Sequence, residues 1–374
     1  MTRIDVGMAG ISNPPYRRVR QTVTFARRVL KLDSIWAVDH FLGFFPHVLW
    51  DKDFSWAANP DDSPHHYFDY QVLLGALAKP AGNMQLAVGV TEPIRRHPVL
   101  IAQAFMTLSH MTAKPPILGI GAGERENTEP YGLDFSRPVA LLEEALQIIR
   151  QCFDSYGPFD FSGTHFNLDR AILDLRPPPG KRPEIWIAAH GPRMLRLTGE
   201  YGDGWYPVFP YTPEQYESAL VAIGEAAERV GRDLAGFTPG ALMLAVVGRT
   251  RAAARRLLDH KSIRFTALLA SDDVWQRAGQ THPLGEGFRG MIDFVPQDYE
   301  KAELEHAIEQ VPIDLLADTV TWGTVDDVER SIRDLGDAGL RHVVISPGGA
   351  LVSRRDALFN LRAIGTLVRR LHAG

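Results

Sequence analysis

The sequence predicts an α/β protein whose units close into a (β/α)8 TIM barrel. Three observations carry this. Short apolar runs alternate with longer helical patterns, and the alternation repeats about eight times along the chain. The runs are rich in Val, Ile and Leu, often on consecutive residues, as strands of a parallel sheet buried on both faces require. Eight such units joined by right-handed crossovers close most simply into a barrel. A doubly wound open sheet is the alternative topology.

Taken in order, the strands are expected at Ile4–Ala9, Ser34–Asp39, Met84–Thr91, Ile117–Gly121, Glu184–Ala189, Gly204–Val208, Ala241–Gly248 and His342–Pro347. In "RPVALLEEALQIIRQCF", Val139, Leu142, Ala145, Leu146 and Ile149 recur at helical spacing. "TPEQYESALVAIGEAAERVG" opens with Thr212 as N-cap, Pro213 at the first helical position and Gln215 at the capping-box position. "TVDDVERSIRDLGDAGL" repeats the design with Thr324 and Asp327. "FDFSGTHFNLD" reads as a β-hairpin turning at Ser-Gly, inserted between the fourth and fifth strands.

Two stretches exceed ordinary loops. Residues 41–70 follow the second strand and are dense in Phe, Trp and Tyr; residues 270–320 precede the last strand and mix Gly, Pro and charge. Structureless loops of this length are unusual, so both are expected to carry short helices or form lids. No linker divides the chain, so residues 1–374 read as one domain with these insertions.

Composition excludes several classes. A chain of 374 residues, 45% hydrophobic, is ample for a buried core. A net charge of −5 gives no reason to expect nucleic acid or an anionic membrane as partner. Cys152 is the sole cysteine, which rules out an intrachain disulfide, fits a core position in its helix, and points to a reducing, cytoplasmic setting. No apolar run reaches membrane-spanning length, and the first residues lack a cleavable apolar core. His65-His66 are adjacent loop residues that point apart, so no metal site is expected. No G-x-S-x-G elbow is present.

"GIGAGERENTEPYG", residues 119–132, looks at first like a dinucleotide loop. The pattern fails: Gly119 and Gly121 fit, but Glu124 stands where the third glycine is needed, and Pro130 and Pro138 prevent an immediate helix.

Barrel enzymes build their active sites at the C-terminal ends of the strands. Strand two ends in Asp39-His40, strand three in Gly89-Val90-Thr91, strand four in Gly121-Ala122-Gly123-Glu124 with Asn127 beyond, and strand five in Ala189-His190-Gly191-Pro192-Arg193. Acid-base groups and small residues thus gather on one rim.

Four stretches, "SIWAVDHF", "LAVGVTEPIRRHP", "ILGIGAGERENTEPYG" and "PEIWIAAHGPRMLRLTGEYGDGW", together resemble the bacterial luciferase-like superfamily in its coenzyme F420-dependent oxidoreductase branch. The last two are especially similar to the mycobacterial phthiodiolone ketoreductases, which reduce a ketone in a long polyketide lipid. The resemblance implies a planar deazaflavin across the barrel mouth, with Gly119, Gly121 and Gly123 admitting the ring and placing Glu124 at its edge. It assigns Asp39 to the ring's edge hydroxyl and Gly89, Val90, Thr91 and Asn127 to cofactor contact, and it implies a cis peptide between Gly89 and Val90. The cofactor's phosphate would meet His190-Gly191-Pro192-Arg193, where a helix opens and its free N–H groups and dipole favour an anion. His40 would give a proton to a ketone oxygen, or take one from an alcohol, and Glu124 would hydrogen-bond toward the ring or share the acid role.

One departure bears on substrate. Where sugar-phosphate dehydrogenases of this branch carry tryptophan four residues after the Asp-His pair, this chain has Phe44. No set of Lys and Arg suits a sugar phosphate, and the aromatic segment, with Phe44 and Phe45, favours a large apolar substrate. A dimer interface or a second core is the other reading of that segment. The expected activity is hydride transfer between reduced F420 and a ketone or secondary alcohol. An FMN-dependent monooxygenase is the alternative, a non-catalytic coenzyme carrier is opposed by the acid-base trio, and analogy allows a homodimer.

Overall fold

The computed structural model describes residues 2–59, 62–208 and 211–373. Positions 60 and 61 of the first insertion, and the two ends of the expected 1–374 domain, lie outside the described residues. The strands in chain order are β1 (Asp5–Ala9), β2 (Ser34–Ala37), β3 (Gln85–Thr91), β4 (Ile117–Ile120), β5 (Phe159–Ser162), β6 (Asn167–Ala171), β7 (Glu184–Ile187), β8 (Gly204–Trp205), β9 (Thr238–Val247), β10 (Thr321–Gly323) and β11 (His342–Pro347). Eight of them close a parallel barrel in the order β1, β2, β3, β4, β7, β8, β9, β11, and β11 returns to β1 with His342 opposite Asp5. The eight expected strands are therefore all present. β5 and β6 form the expected antiparallel hairpin.

Several strand ends fall short of expectation. β2 stops at Ala37, β7 at Ile187 and β8 at Trp205; after β2 the chain leaves the ladder, and Val38 N donates to Ser12 Oγ at 2.8 Å. β9 is longer than expected and begins at Thr238. Its last two residues, Val246 and Val247, project past β11, and Ala245–Val247 carry the short extra strand β10.

The barrel interior is filled by aromatics. Trp36 stacks on Tyr206 with ring centroids 4.5 Å apart, and Trp186 packs against Trp36 at 5.5 Å. Below them Trp36 Nε1 donates to Ser34 Oγ at 2.7 Å, leaving the hydroxyl proton for His342 Nε2, also at 2.7 Å. Burial pushes the His342 imidazole down to about 4, so it is neutral at ordinary pH. Outside, helices bury their apolar stripes on the strands. The Pro138–Asp154 helix covers its side with Leu142, Leu146 and Ile149, and Cys152 is buried beside them. Both capping boxes form, at Thr212/Gln215 and Thr324/Asp327.

The two insertions meet. Leu49 and Phe54 of the first pack with Phe265, Phe294, Leu304 and Leu316 into a second hydrophobic core beside the barrel mouth. Short helices at Asp272–Arg277, Lys301–Gln310 and Ile313–Thr319 carry the second insertion. Lys301 Nζ, 2.8 Å from Asp51, ties one insertion to the other. Among the described residues, no helix is long and apolar enough to cross a membrane.

Candidate active site at the barrel mouth

Asp39 and His40 leave β2 side by side but face different partners. The Asp39 carboxylate is buried, and its Oδ2 accepts from Thr91 Oγ1 at 2.6 Å and Arg96 at 2.7 Å, with Arg95 at 3.1 Å. Arg95 also donates to the Asp39 carbonyl at 2.8 Å and pairs with Glu92. Its guanidinium lies over the Phe41 ring, 4.8 Å from the centroid, and its remaining nitrogen, Nη1, is buried without a partner. A fixed cation with an unused N–H therefore stands beside Asp39 at the end of β3.

His40 points the other way. Its Nδ1 lies 2.8 Å from the Leu42 carbonyl and 2.9 Å from Asn127 Nδ2, and these two contacts hold the ring by that nitrogen. Nε2 then faces Glu124 Oε2 at 3.8 Å. Phe44 closes one side edge-on at 5.4 Å, and Tyr67 another at 5.8 Å. Burial raises the Tyr67 hydroxyl to about 12, so it stays protonated.

The loop after β4 completes the group. Asn127 Oδ1 accepts from Phe41 N at 2.6 Å and Leu42 N at 3.2 Å, while Nδ2 donates to Glu126 Oε1 at 2.8 Å. One amide thus pins the loop after β2 to the loop after β4. Burial, followed by the neighbouring Glu126, holds the Glu124 carboxyl well above the ordinary range. Burial lifts Glu126 to about 8.

The glycines have separate reasons. A Cβ on Gly119 would stand 2.1 Å from the Val88 carbonyl oxygen, because β3 bulges between Val88 and Thr91. Gly119 therefore admits the neighbouring strand's backbone. Gly123 has φ +89°, a left-handed bend that turns the chain toward Glu124. The Gly89–Val90 peptide is cis, as expected. Gly89 packs over Trp36 and Tyr206, where a Cβ would come within 2.9 Å of both.

Other expected residues lie farther round the rim. His190 Nδ1 is 3.0 Å from the Tyr211 hydroxyl. Gly191 is the N-cap of the Pro192–Tyr201 helix, and a Cβ there would meet nothing within 4 Å. Arg193 pairs with Glu143 at 2.9 Å and is half exposed. Phe44 and Phe45 separate: Phe44 faces His40, whereas Phe45 packs on Trp50, Phe54 and Phe265 in the second core. His65 Nδ1 accepts from Gly43 N at 3.1 Å, a loop-fixing role.

Arg95, Arg96, Glu126 and Tyr67 also stand at the site, and the sequence alone does not single them out. Their signals were present but faint. Two arginines in "TEPIRRHP" and a second glutamate in "GERENTEP" read as solvated loop charge until the fold buries them.

A luciferase-like monooxygenase family model matches residues 1–342. The chain is 37% identical, over 378 residues and 99% of both chains, to a phthiodiolone/phenolphthiodiolone dimycocerosates ketoreductase of Mycobacterium sp. strain JLS. It is 38% identical over 338 residues to the protein of the same name from Mycobacterium tuberculosis strain H37Rv, covering 90% of this chain and 88% of that one. Among solved structures, it is similar to an F420-dependent secondary alcohol dehydrogenase in complex with an F420-acetone adduct, with a TM-score of 0.75, 20% identity and 99% of both chains covered.

Proposed function

The chain belongs to the luciferase-like monooxygenase family, and on that premise we propose that it is an F420-dependent oxidoreductase acting on a ketone, or the matching secondary alcohol, in a large apolar substrate. Relatives named ketoreductases support the reaction class, and the alcohol dehydrogenase with its F420-acetone adduct supports the cofactor. When bound, reduced F420 supplies a hydride.

The chain's own residues fit that group. Gly89, Val90, Thr91 and Gly123 offer a small-residue ledge, with Glu124 and Asn127 at its edge. Asp39, beside the unpartnered Arg95 Nη1, offers paired charges to a polar ring edge. His190, Gly191, Pro192 and Arg193 are assigned to the phosphate. His40 is the proton donor: with Nδ1 engaged by Leu42 and Asn127, its Nε2 is the atom that gives a proton to the ketone oxygen, or takes one from the alcohol. Glu124 is the second acid. Phe44, beside His40, lines the apolar path, and Phe45 supports it from the second core. The oriented His40 ring at the barrel mouth is the observation that carries the reading.

The test has two parts. Titrating F420 and FMN against tryptophan fluorescence should give saturable binding of F420, and ketone reduction should proceed without oxygen uptake. His40→Asn and Glu124→Gln should then lower turnover by ~10²–10⁴-fold while leaving F420 affinity near the parent's. FMN binding with oxygen consumption, or parental turnover in both variants, overturns the reading.

A further inference from the structure

Glu126 is completely buried and has no place in the roles assigned so far. Its Oε1 lies 3.5 Å from His40 Nδ1 and accepts from Asn127. Its Oε2 is buried without any donor. The neighbouring group is Glu124, and one oxygen of each carboxyl lies, with a ring nitrogen of His40, inside a span of 4.8 Å. Glu124 is the outer member, with 24% of its side chain exposed, and Glu126 the inner.

Two carboxyls this close in a dry site do not both carry charge, so the pair retains a proton when ordinary glutamates have lost theirs. The surrounding groups leave that conclusion in place. From the loop after β2 comes His40; from the end of β3 comes Arg95, already bound to Glu92 and Asp39. Tyr67 and Tyr131 also face Glu126, and both remain protonated because burial raises them. The only side-chain donor that reaches Glu126 among the described hydrogen bonds is the Asn127 amide.

We propose that Glu126 is a positioning residue that, together with Glu124, holds the proton that recharges His40 after each turnover. The inference rests on the ketone-reduction reading above. In the reductive direction, the bound reduced coenzyme would supply a hydride to the substrate carbonyl carbon as the C=O π pair moves onto oxygen. The His40 Nε2–H bond breaks and an O–H bond forms on the substrate, leaving neutral His40. A Glu124 O–H bond then breaks and Nε2–H re-forms. Glu126 makes this possible by keeping its partner protonated, and water returns the proton through the exposed side of Glu124. A purely structural Glu126, present only to hold Asn127, would do none of this.

Glu126→Gln separates the two roles, since the amide oxygen still accepts from Asn127 but cannot share a proton with Glu124. With F420 and a ketone, the variant should keep the parental KM and coenzyme affinity within about twofold. Its kcat should fall roughly 10–10²-fold, at or below the low end for a group transferring the proton directly. The fall should deepen as pH rises, and Glu126→Asp should recover part of it. An infrared spectrum of the resting protein gives a readout without turnover: a protonated-carboxyl band at pH 7 in the parent, reduced or lost in Glu126→Gln. If parent and variant share the same band, or the same kcat and pH profile, Glu126 is only structural. If the parent does not reduce ketones with F420 but the band behaves as stated, the proton-sharing pair stands and the assigned reaction fails.

Discussion

Asp203, at the start of the strand β8, holds three arginines at once. Its Oδ1 accepts from Arg150 at 2.9 Å and Arg232 at 3.1 Å, and its Oδ2 from Arg182 at 3.3 Å and from Ile185 N at 2.9 Å. These charges pull the Asp203 carboxyl below its ordinary value despite its burial. Asp203→Asn removes the shared counter-charge and leaves the guanidiniums facing one another, with only Asp154 on Arg182 to offset them. Removing one partner of a fully buried pair costs ~3–5 kcal/mol. Here the arginine side chains are 16–36% exposed, so solvent screening lowers the figure to about 2–4 kcal/mol. An unfolding entropy of ~2.1 cal/mol/K per residue, over 374 residues, converts this into a fall in Tm of about 3–5 °C. Scanning calorimetry at pH 7 and again near pH 3 is the assay. A carboxylate with a lowered folded-state value contributes stability above its unfolded value and loses it as pH falls through the folded one. The gap between parent and variant should therefore be full at pH 7 and close in acid. Equal melting at pH 7, or a gap that persists undiminished near pH 3, would mean that the Asp203 charge does not hold the arginines in the fold.

Other outcomes are expected. Gly119→Ala should destabilise by ~3 kcal/mol or more, because the methyl meets backbone that does not yield, whereas Gly191→Ala should stay within about 0.5 kcal/mol; urea midpoints compare them. Buried His342, neutral when folded, should cost the parent stability as pH drops from about 6.5 toward 4, and His342→Gln should flatten that slope in a pH series of melts. Phe44→Ser should raise KM for apolar ketones with F420 affinity unchanged; an equal loss for small polar ketones would assign the effect to folding.

The fold was legible where burial is two-sided. Runs such as Ile117–Ile120 and His342–Pro347 are apolar on consecutive residues because helices cover one face and the barrel interior the other. β10 was not legible: three residues held by the overhang of β9 leave no periodic trace. In the site, Asp39, His40, Thr91, Glu124 and Asn127 could be gathered on one rim because each follows a recognisable strand. Arg95 and Glu126 could not, since their burial depends on how two loops fold over each other. Asp203 shows the converse. It sits in the quoted motif "EYGDGW", and the structure explains its presence there by ion pairing at the strand's entrance.

The meeting of the two insertions also sets an order of events during synthesis. Asp51 and Lys301 are 250 residues apart in sequence. At ~5–20 residues per second, the aromatic stretch carrying Phe45, Trp50 and Phe54 leaves the ribosome roughly 10–50 s before the helices that cover it exist. For that interval the growing chain presents a sticky apolar surface, and the barrel cannot shield it, because β11, which closes the barrel, is made later still. Truncations that end before the covering helices should therefore aggregate through residues 41–59, whereas the full chain should not.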